Sequence, residues 1–178
     1  MTASSHGYSA SLHENIVLIL NFLAVVLELA VLLIFSRLDN LVHGDLYNYG
    51  LSFSSAWAFD YWNSQAIVID SLIFSLVLTA ITLVPFYIYS NERSVSSRWS
   101  CILCPIIAAG VASVAMYFVY HIESIVNVTL YQYGLQFNPE WAVGYWNIVR
   151  ATLELGGIAI AALMFMALVI WFVTRTRD

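Results

Sequence analysis

Ionisable side chains are scarce in this chain, and a few of them fall within or at the edges of long apolar runs: Glu28, Asp70, Arg150, Glu154 and the neighbouring His121. An ionisable group near the centre of a bilayer costs about 2.5–3.5 kcal/mol on insertion scales, so each is a candidate for binding an ion, a proton or a charged ligand. Glu28 is the deepest. Glu14, Asn21 and Glu28 recur every seven residues and so share one face of a helix. Asp70 follows Asn63 on one helical face, and Glu154 follows Asn147 in the same way. Arg150 lies four residues before Glu154, the natural spacing of an intrahelical ion pair. If these faces converge, Glu28, Asp70, Glu154, Arg150 and His121 form an ion or ligand pocket. If they do not, the same groups are interhelical pins, with Arg150 and Arg37 neutralising carboxylates and setting helix register.

Other chemistries are more weakly signalled. His43, His121, Glu123 and Asp39 are the candidates for a metal, but no HExxH and no regular His/Cys spacing is present. Bis-histidine ligation of haem needs two histidines at one depth, and His13 belongs to the opposite side from His121. Cys101-Ile-Leu-Cys104-Pro105 is a CxxC at the start of an apolar run. A membrane thiol oxidoreductase needs a second cysteine pair to pass electrons on, and the chain has only two cysteines. Two small apolar helix residues are the plainer reading, with Pro105 in the first helical turn. Asn127-Val-Thr129 matches a glycosylation sequon. No Ser-His-Asp arrangement, P-loop or dinucleotide fingerprint is visible, so the pattern favours a non-enzyme and names no cofactor.

The elements that must position these residues follow from composition. The chain is 61% hydrophobic and 10% charged, against roughly 25% charged in soluble domains. That much apolar surface calls for a bilayer as the second solvent. There is no lysine, and the net charge is −5, which excludes nucleic acid as a partner because phosphate binding needs clustered cations. A spanning helix needs about 20 apolar residues, and Asn15–Ser36, Ile67–Tyr89, Cys101–Tyr120 and Leu153–Val173 qualify. No basic region precedes the first run, so it reads as a retained anchor and not a cleaved signal. Arg93 and Arg98 lie in the short turn between the second and third runs, and Arg175 and Arg177 follow the last. The two longer connections carry Asp39, Asp45, Asp60, Glu123 and Glu140. The positive-inside rule then puts both termini and the short turn in the cytoplasm of a cell membrane, with both long connections outside.

Those connections are copies of one another. Residues 46–63 read LYNYGLSFSSAWAFDYWN and residues 130–147 read LYQYGLQFNPEWAVGYWN, and eleven of the eighteen pairs are identical without a gap. Each copy belongs to a unit with two spans, about 13–90 and 97–174, so the units insert in the same orientation as a parallel repeat. The Tyr-x-Tyr-Gly-Leu-x-Phe stretch reads as an irregular or extended approach, with Gly50 and Gly134 free to take positive φ. A helix start follows it, capped by Asn138 with Pro139 and Glu140 in the first turn, or by Ser54 or Ser55 in the other copy. A helix from Ser54 to Tyr89 is roughly 54 Å long at 1.5 Å per residue, so it projects beyond the hydrocarbon.

The sequence therefore predicts an all-α membrane protein. It is a four-transmembrane-helix bundle made of two tandem parallel helix–loop–helix repeats with outward aromatic loops. Tyr47, Tyr49, Trp57, Tyr61 and Trp62, with Tyr131, Tyr133, Trp141, Tyr145 and Trp146, form an outer aromatic belt or contact surface. Tight packing of the third and fourth spans is expected from runs of Ala and Gly. Two functions fit. One is binding or translocating an ion, proton or small ligand through an outward polar pocket between the hairpins. The other is a non-catalytic subunit of a larger membrane assembly, oligomerising with itself or with other membrane subunits through the aromatic loops.

Overall fold

The computed structural model describes residues 4–92, 94–129, 136 and 138–175. Six helices stand among these residues: α1 (Ser4–Asp45), α2 (Tyr47–Phe53), α3 (Ser55–Ile81), α4 (Leu83–Glu92), α5 (Val95–Thr129) and α6 (Pro139–Arg175). Four stretches are long and apolar enough to cross a membrane: Glu14–Gly44, Ser55–Glu92, Val95–Asn127 and Pro139–Arg175. They fit a multi-pass membrane protein.

The helices form a bundle in which each long helix packs against its chain neighbours and α6 closes the ring against α1. Pair contacts set the directions. Glu14, Asn21, Glu28 and Asp39 on α1 meet Ser90, Thr79, Ser75 and Tyr61 in turn, so α1 runs antiparallel to α3 and α4. Asp60 with His121, and Ser75 with the Ala108 carbonyl, make α3 and α5 antiparallel as well. One end of the bundle carries Trp57 and Trp141; the other carries the turn between α4 and α5. Inward-facing positions on every long helix alternate in steps of three and four, as in Val17, Asn21, Ala24, Glu28, Val31, Phe35, Leu38 and Val42. That is the seam of a left-handed bundle.

Two apolar cores fill the seam. The larger lies at the aromatic end and includes Phe35, Leu38, Trp57, Tyr61, Val119, Ile122 and Tyr145. The smaller lies at the turn end and includes Val17, Ala24, Phe86, Cys101, Leu163, Met166 and Ile170. A layer of buried polar side chains interrupts the seam: Glu28 and Ser75 stand between the two cores, and Asn21, Thr79 and Thr82 stand next to them within the smaller one.

Three local features differ from the sequence expectation. The Tyr-x-Tyr-Gly-Leu-x-Phe stretch of the first connection is a helix, α2, and not an extended approach. Gly50 is helical and sits against the indole of Trp57, where an added Cβ would come within 2.3 Å of ring atoms. Its glycine serves close packing and not positive φ. Gly134 lies outside the described residues. Second, α5 begins at Val95, so Pro105 stands inside the helix and not in its first turn. Third, the second span breaks at Thr82 whereas α6 is continuous. Pro85 has no N–H for the Ile81 carbonyl. The Thr82 N–H is shared by the carbonyls of Leu78 and Thr79, and the Thr82 hydroxyl donates back to Leu78 at 2.9 Å, a pattern that bends helices.

The helix starts are where the sequence puts them. Ser54, in extended backbone, accepts from the Trp57 N–H at 3.3 Å. Asn138 Oδ1 accepts from the N–H groups of Glu140 and Trp141 at 3.1 and 3.2 Å.

A cleft at the aromatic end and a polar layer within the bundle

The candidate residues divide among separate places. Glu28 is 1% exposed, in the polar layer. Arg150 Nε donates to Glu154 Oε1 at 2.7 Å, the expected i,i+4 pair, but the two side chains are 67% and 60% exposed on the outside of α6. His121 is part-exposed and pairs with Asp60 at 3.4 Å across the α3–α5 contact. Asp70 is exposed on α3. These five residues therefore do not line one pocket. Depth was readable from the sequence, but helix rotation separates them.

Asp70 instead joins a different set. A cleft of about 450 Å³ between α1 and α3 is lined by Asp39, Asn40, His43, Trp62, Gln65, Ala66, Ile69 and Asp70. It lies within the first hairpin and not between two hairpins. Five residues of α1, 39–43, carry Asp39, Asn40 and His43 past the opening, and the turns of α3 from Trp62 to Asp70 face them. Asp39 is held from below, because the Tyr61 hydroxyl donates to its Oδ1 at 2.7 Å. His43 stacks on Tyr47 at 4.5 Å, with planes 11° apart, and its ring stands 6.3 Å from that of Trp62. The lining holds two carboxylates and no Arg, so the cleft attracts positive charge. Asn40 and Gln65 escaped the sequence reading; their signal was a position three residues from His43 and from Trp62 respectively.

The metal candidates come together only in part. Asp39 and His43 share the cleft, His121 pairs with Asp60 elsewhere, and Glu123 is half-buried on α5. Among the described residues no group of three or more His, Cys, Asp or Glu side chains could hold a metal ion. Cys101 and Cys104 are free thiols, the first buried and donating to the Arg98 carbonyl at 3.0 Å, the second half-buried.

The ten aromatic residues are also divided. Trp57, Tyr61, Trp141 and Tyr145 point into the core. Trp57 stacks on Tyr61 at 5.5 Å, and Trp141 on Tyr145 at 5.4 Å. Trp62 and Trp146 face outward, and Tyr47 is half-buried against the core. Tyr49 lies in α2 with its side chain outside the description, and Tyr131 and Tyr133 lie outside the described residues.

The polar layer was half legible. Asn21 and Glu28 show as polar breaks in an apolar run, and both turn inward. Asn21 Nδ2 donates to the Thr79 carbonyl at 2.6 Å. Glu28 Oε1 is hydrogen-bonded to Ser75 Oγ, which also stands 2.9 Å from the Ala108 carbonyl. Ser75 and Thr79 escaped the sequence reading, although they continue the inward register of Tyr61, Ser64, Val68 and Leu72. No family model, no curated protein and no solved structure matches the chain. Its four long apolar helices fit a multi-pass membrane protein.

Proposed function

We propose that this membrane protein binds a small organic cation in the cleft between α1 and α3. The observation that carries the reading is the meeting of Asp39 and Asp70 with the Trp62 ring around one cleft that holds no Arg. Carboxylates supply charge, and an indole face attracts an ammonium group, worth about 0.5–2 kcal/mol depending on desolvation. The absence of a tight donor cluster among the described residues favours an ammonium over a bare metal ion. By the distribution of arginines the cleft opens to the outside of a cell membrane, with both termini in the cytoplasm.

In this reading the bundle is a duplicated hairpin. The burial pattern supports that. The eight inward positions of α1 from Val17 to Val42 reappear, shifted by 84, as buried positions of α5 from Cys101 to Val126. The contact of Tyr89 with the Thr174 carbonyl on the parallel helix has nearly the same offset. The two halves differ at the cleft, where Asp70 is matched by Glu154 paired to Arg150. An acidic cleft is thus left in the first hairpin and a neutralised pair in the second.

The test is titration of the purified protein in nanodiscs with a quaternary ammonium probe, read by Trp fluorescence. Asp39→Asn and Asp70→Asn should each weaken binding about tenfold, or about 1.4 kcal/mol, whereas Glu154→Gln should not. Equal affinity in all three variants removes the reading. A second function, a non-catalytic subunit, is favoured by the exposed aromatic and apolar residues on the projecting helix starts, Phe59, Trp62, Val143 and Trp146. Crosslinking from photoreactive residues at Phe59 and Val143 in native membranes would capture a partner if that surface is an interface, and only lipid if it is a headgroup belt.

A further inference from the structure

The polar layer contains a group that the cleft does not use. Among the described residues Glu28 is the only Asp, Glu, Arg or His in the buried set. No cation accompanies it. Its Oε1 bonds to Ser75 Oγ, and its Oε2 has no hydrogen-bond partner among the described residues. Ser75 Oγ stands against two acceptors, the Glu28 carboxyl on α1 and the Ala108 carbonyl on α5. A hydroxyl has one proton and cannot donate to both. The chain of contacts closes if a second proton sits on the carboxyl: Glu28 then donates to Ser75 Oγ, and Ser75 donates to Ala108. An ionised carboxylate in this layer would instead be a desolvated charge faced only by the hydroxyls of Ser75 and Thr79, with no cation beside it among the described residues.

We infer that Glu28 is a proton-binding site in the middle of the membrane, whose bound proton ties α1 to α3 and, through Ser75, α3 to α5. When the proton leaves to solvent, the Ser75 hydroxyl turns to the carboxylate and releases the Ala108 carbonyl. The site rests on neither the cleft nor its ligand. Its neighbours are neutral. α3 presents Ser75 and Thr79 and α5 presents Ala108 and Ala112. α6 presents Ala159, by its antiparallel run from the Asn21–Met166 contact. The titratable side chains that face inward elsewhere are Glu14 on α1, Tyr61 on α3, Tyr89 on α4, Cys101 on α5 and Tyr145 on α6. Each is about two or more turns away along its helix. Cys104, half-buried one turn from Ala108, is nearer, and an ordinary thiol is neutral at pH 7. The second half lacks such a site, since the positions 84 residues beyond Glu28 and Ser75 are Ala112 and Ala159.

Infrared spectroscopy of the full chain in lipid vesicles tests this directly. At neutral pH a C=O stretch of a protonated carboxyl is expected. It should be lost in Glu28→Gln, shift in D₂O, and move to higher wavenumber in Ser75→Ala, which removes the acceptor. The hydrophobic reagent dicyclohexylcarbodiimide, which consumes protonated carboxyls, should label Glu28 in the native chain, and replacing K⁺ by Na⁺ should not slow it. Protection by Na⁺ would assign the site to a metal cation and overturn the proton. So would a neutral-pH spectrum identical in the native chain and Glu28→Gln. Because glutamine copies the neutral acid in shape, Glu28→Gln should fold and keep its melting temperature at pH 7. An unfolded Glu28→Gln with a folded Glu28→Asp would count against the inference.

Discussion

At the scale of single residues, the structure separates side chains that share a type. Gly50 and Gly144 are both helical, yet only Gly50 lies against a ring: a Cβ there would meet Trp57 at 2.3 Å, whereas at Gly144 it would meet nothing within 4 Å. Gly50→Ala must push aside an indole already stacked on Tyr61, and overpacking of this kind costs about 1–3 kcal/mol. Gly144→Ala should be neutral or stabilising by up to about 1 kcal/mol, because alanine favours the helix. The melting temperature in one detergent should therefore fall for Gly50→Ala and hold or rise for Gly144→Ala. Gly156 is intermediate. Its obstacle is the Met116 thioether, a flexible group that can swing away.

At the scale of elements, helix starts and one helix break are set by identifiable hydrogen bonds. Asn138 satisfies two N–H groups at the start of α6, whereas Ser54 satisfies one at the start of α3. Loss of a cap costs about 0.5–2 kcal/mol, so Asn138→Ala should destabilise more than Ser54→Ala in denaturant titration. The break at Thr82 belongs to Pro85. Its counterpart 84 residues on is Val169, inside the unbroken α6. Pro85→Val should restore continuous amide protection through residues 81–86 in hydrogen exchange, while leaving the Asn21–Thr79 contact above the break in place.

At the scale of the whole molecule, the arginine distribution predicts which end of the bundle faces the cytoplasm. In a background without native cysteines, a thiol placed at Ser96 should react with an impermeant reagent only from the cytoplasmic side. One at Ser52 should react only from the outside. The reverse pattern would invert the protein and put the acidic cleft inside the cell.

The sequence by itself determined the four long apolar helices that fit a membrane protein and the capped helix starts at Ser54 and Asn138. Each of these depends on local chain chemistry or on transfer into an apolar solvent. What the tertiary structure decided is helix rotation. Lipid and protein core are equally apolar, so Leu, Val and Phe do not mark which face of a spanning helix turns inward. Glu28, Asp70 and Glu154 therefore looked alike in the sequence. Packing sends the first into the bundle against Ser75, the second into a cleft with Asp39 and Trp62, and the third outward to Arg150. The same holds for Gly50 of α2: the sequence suggests freedom for positive φ, whereas the Trp57 ring occupies the space a side chain would need.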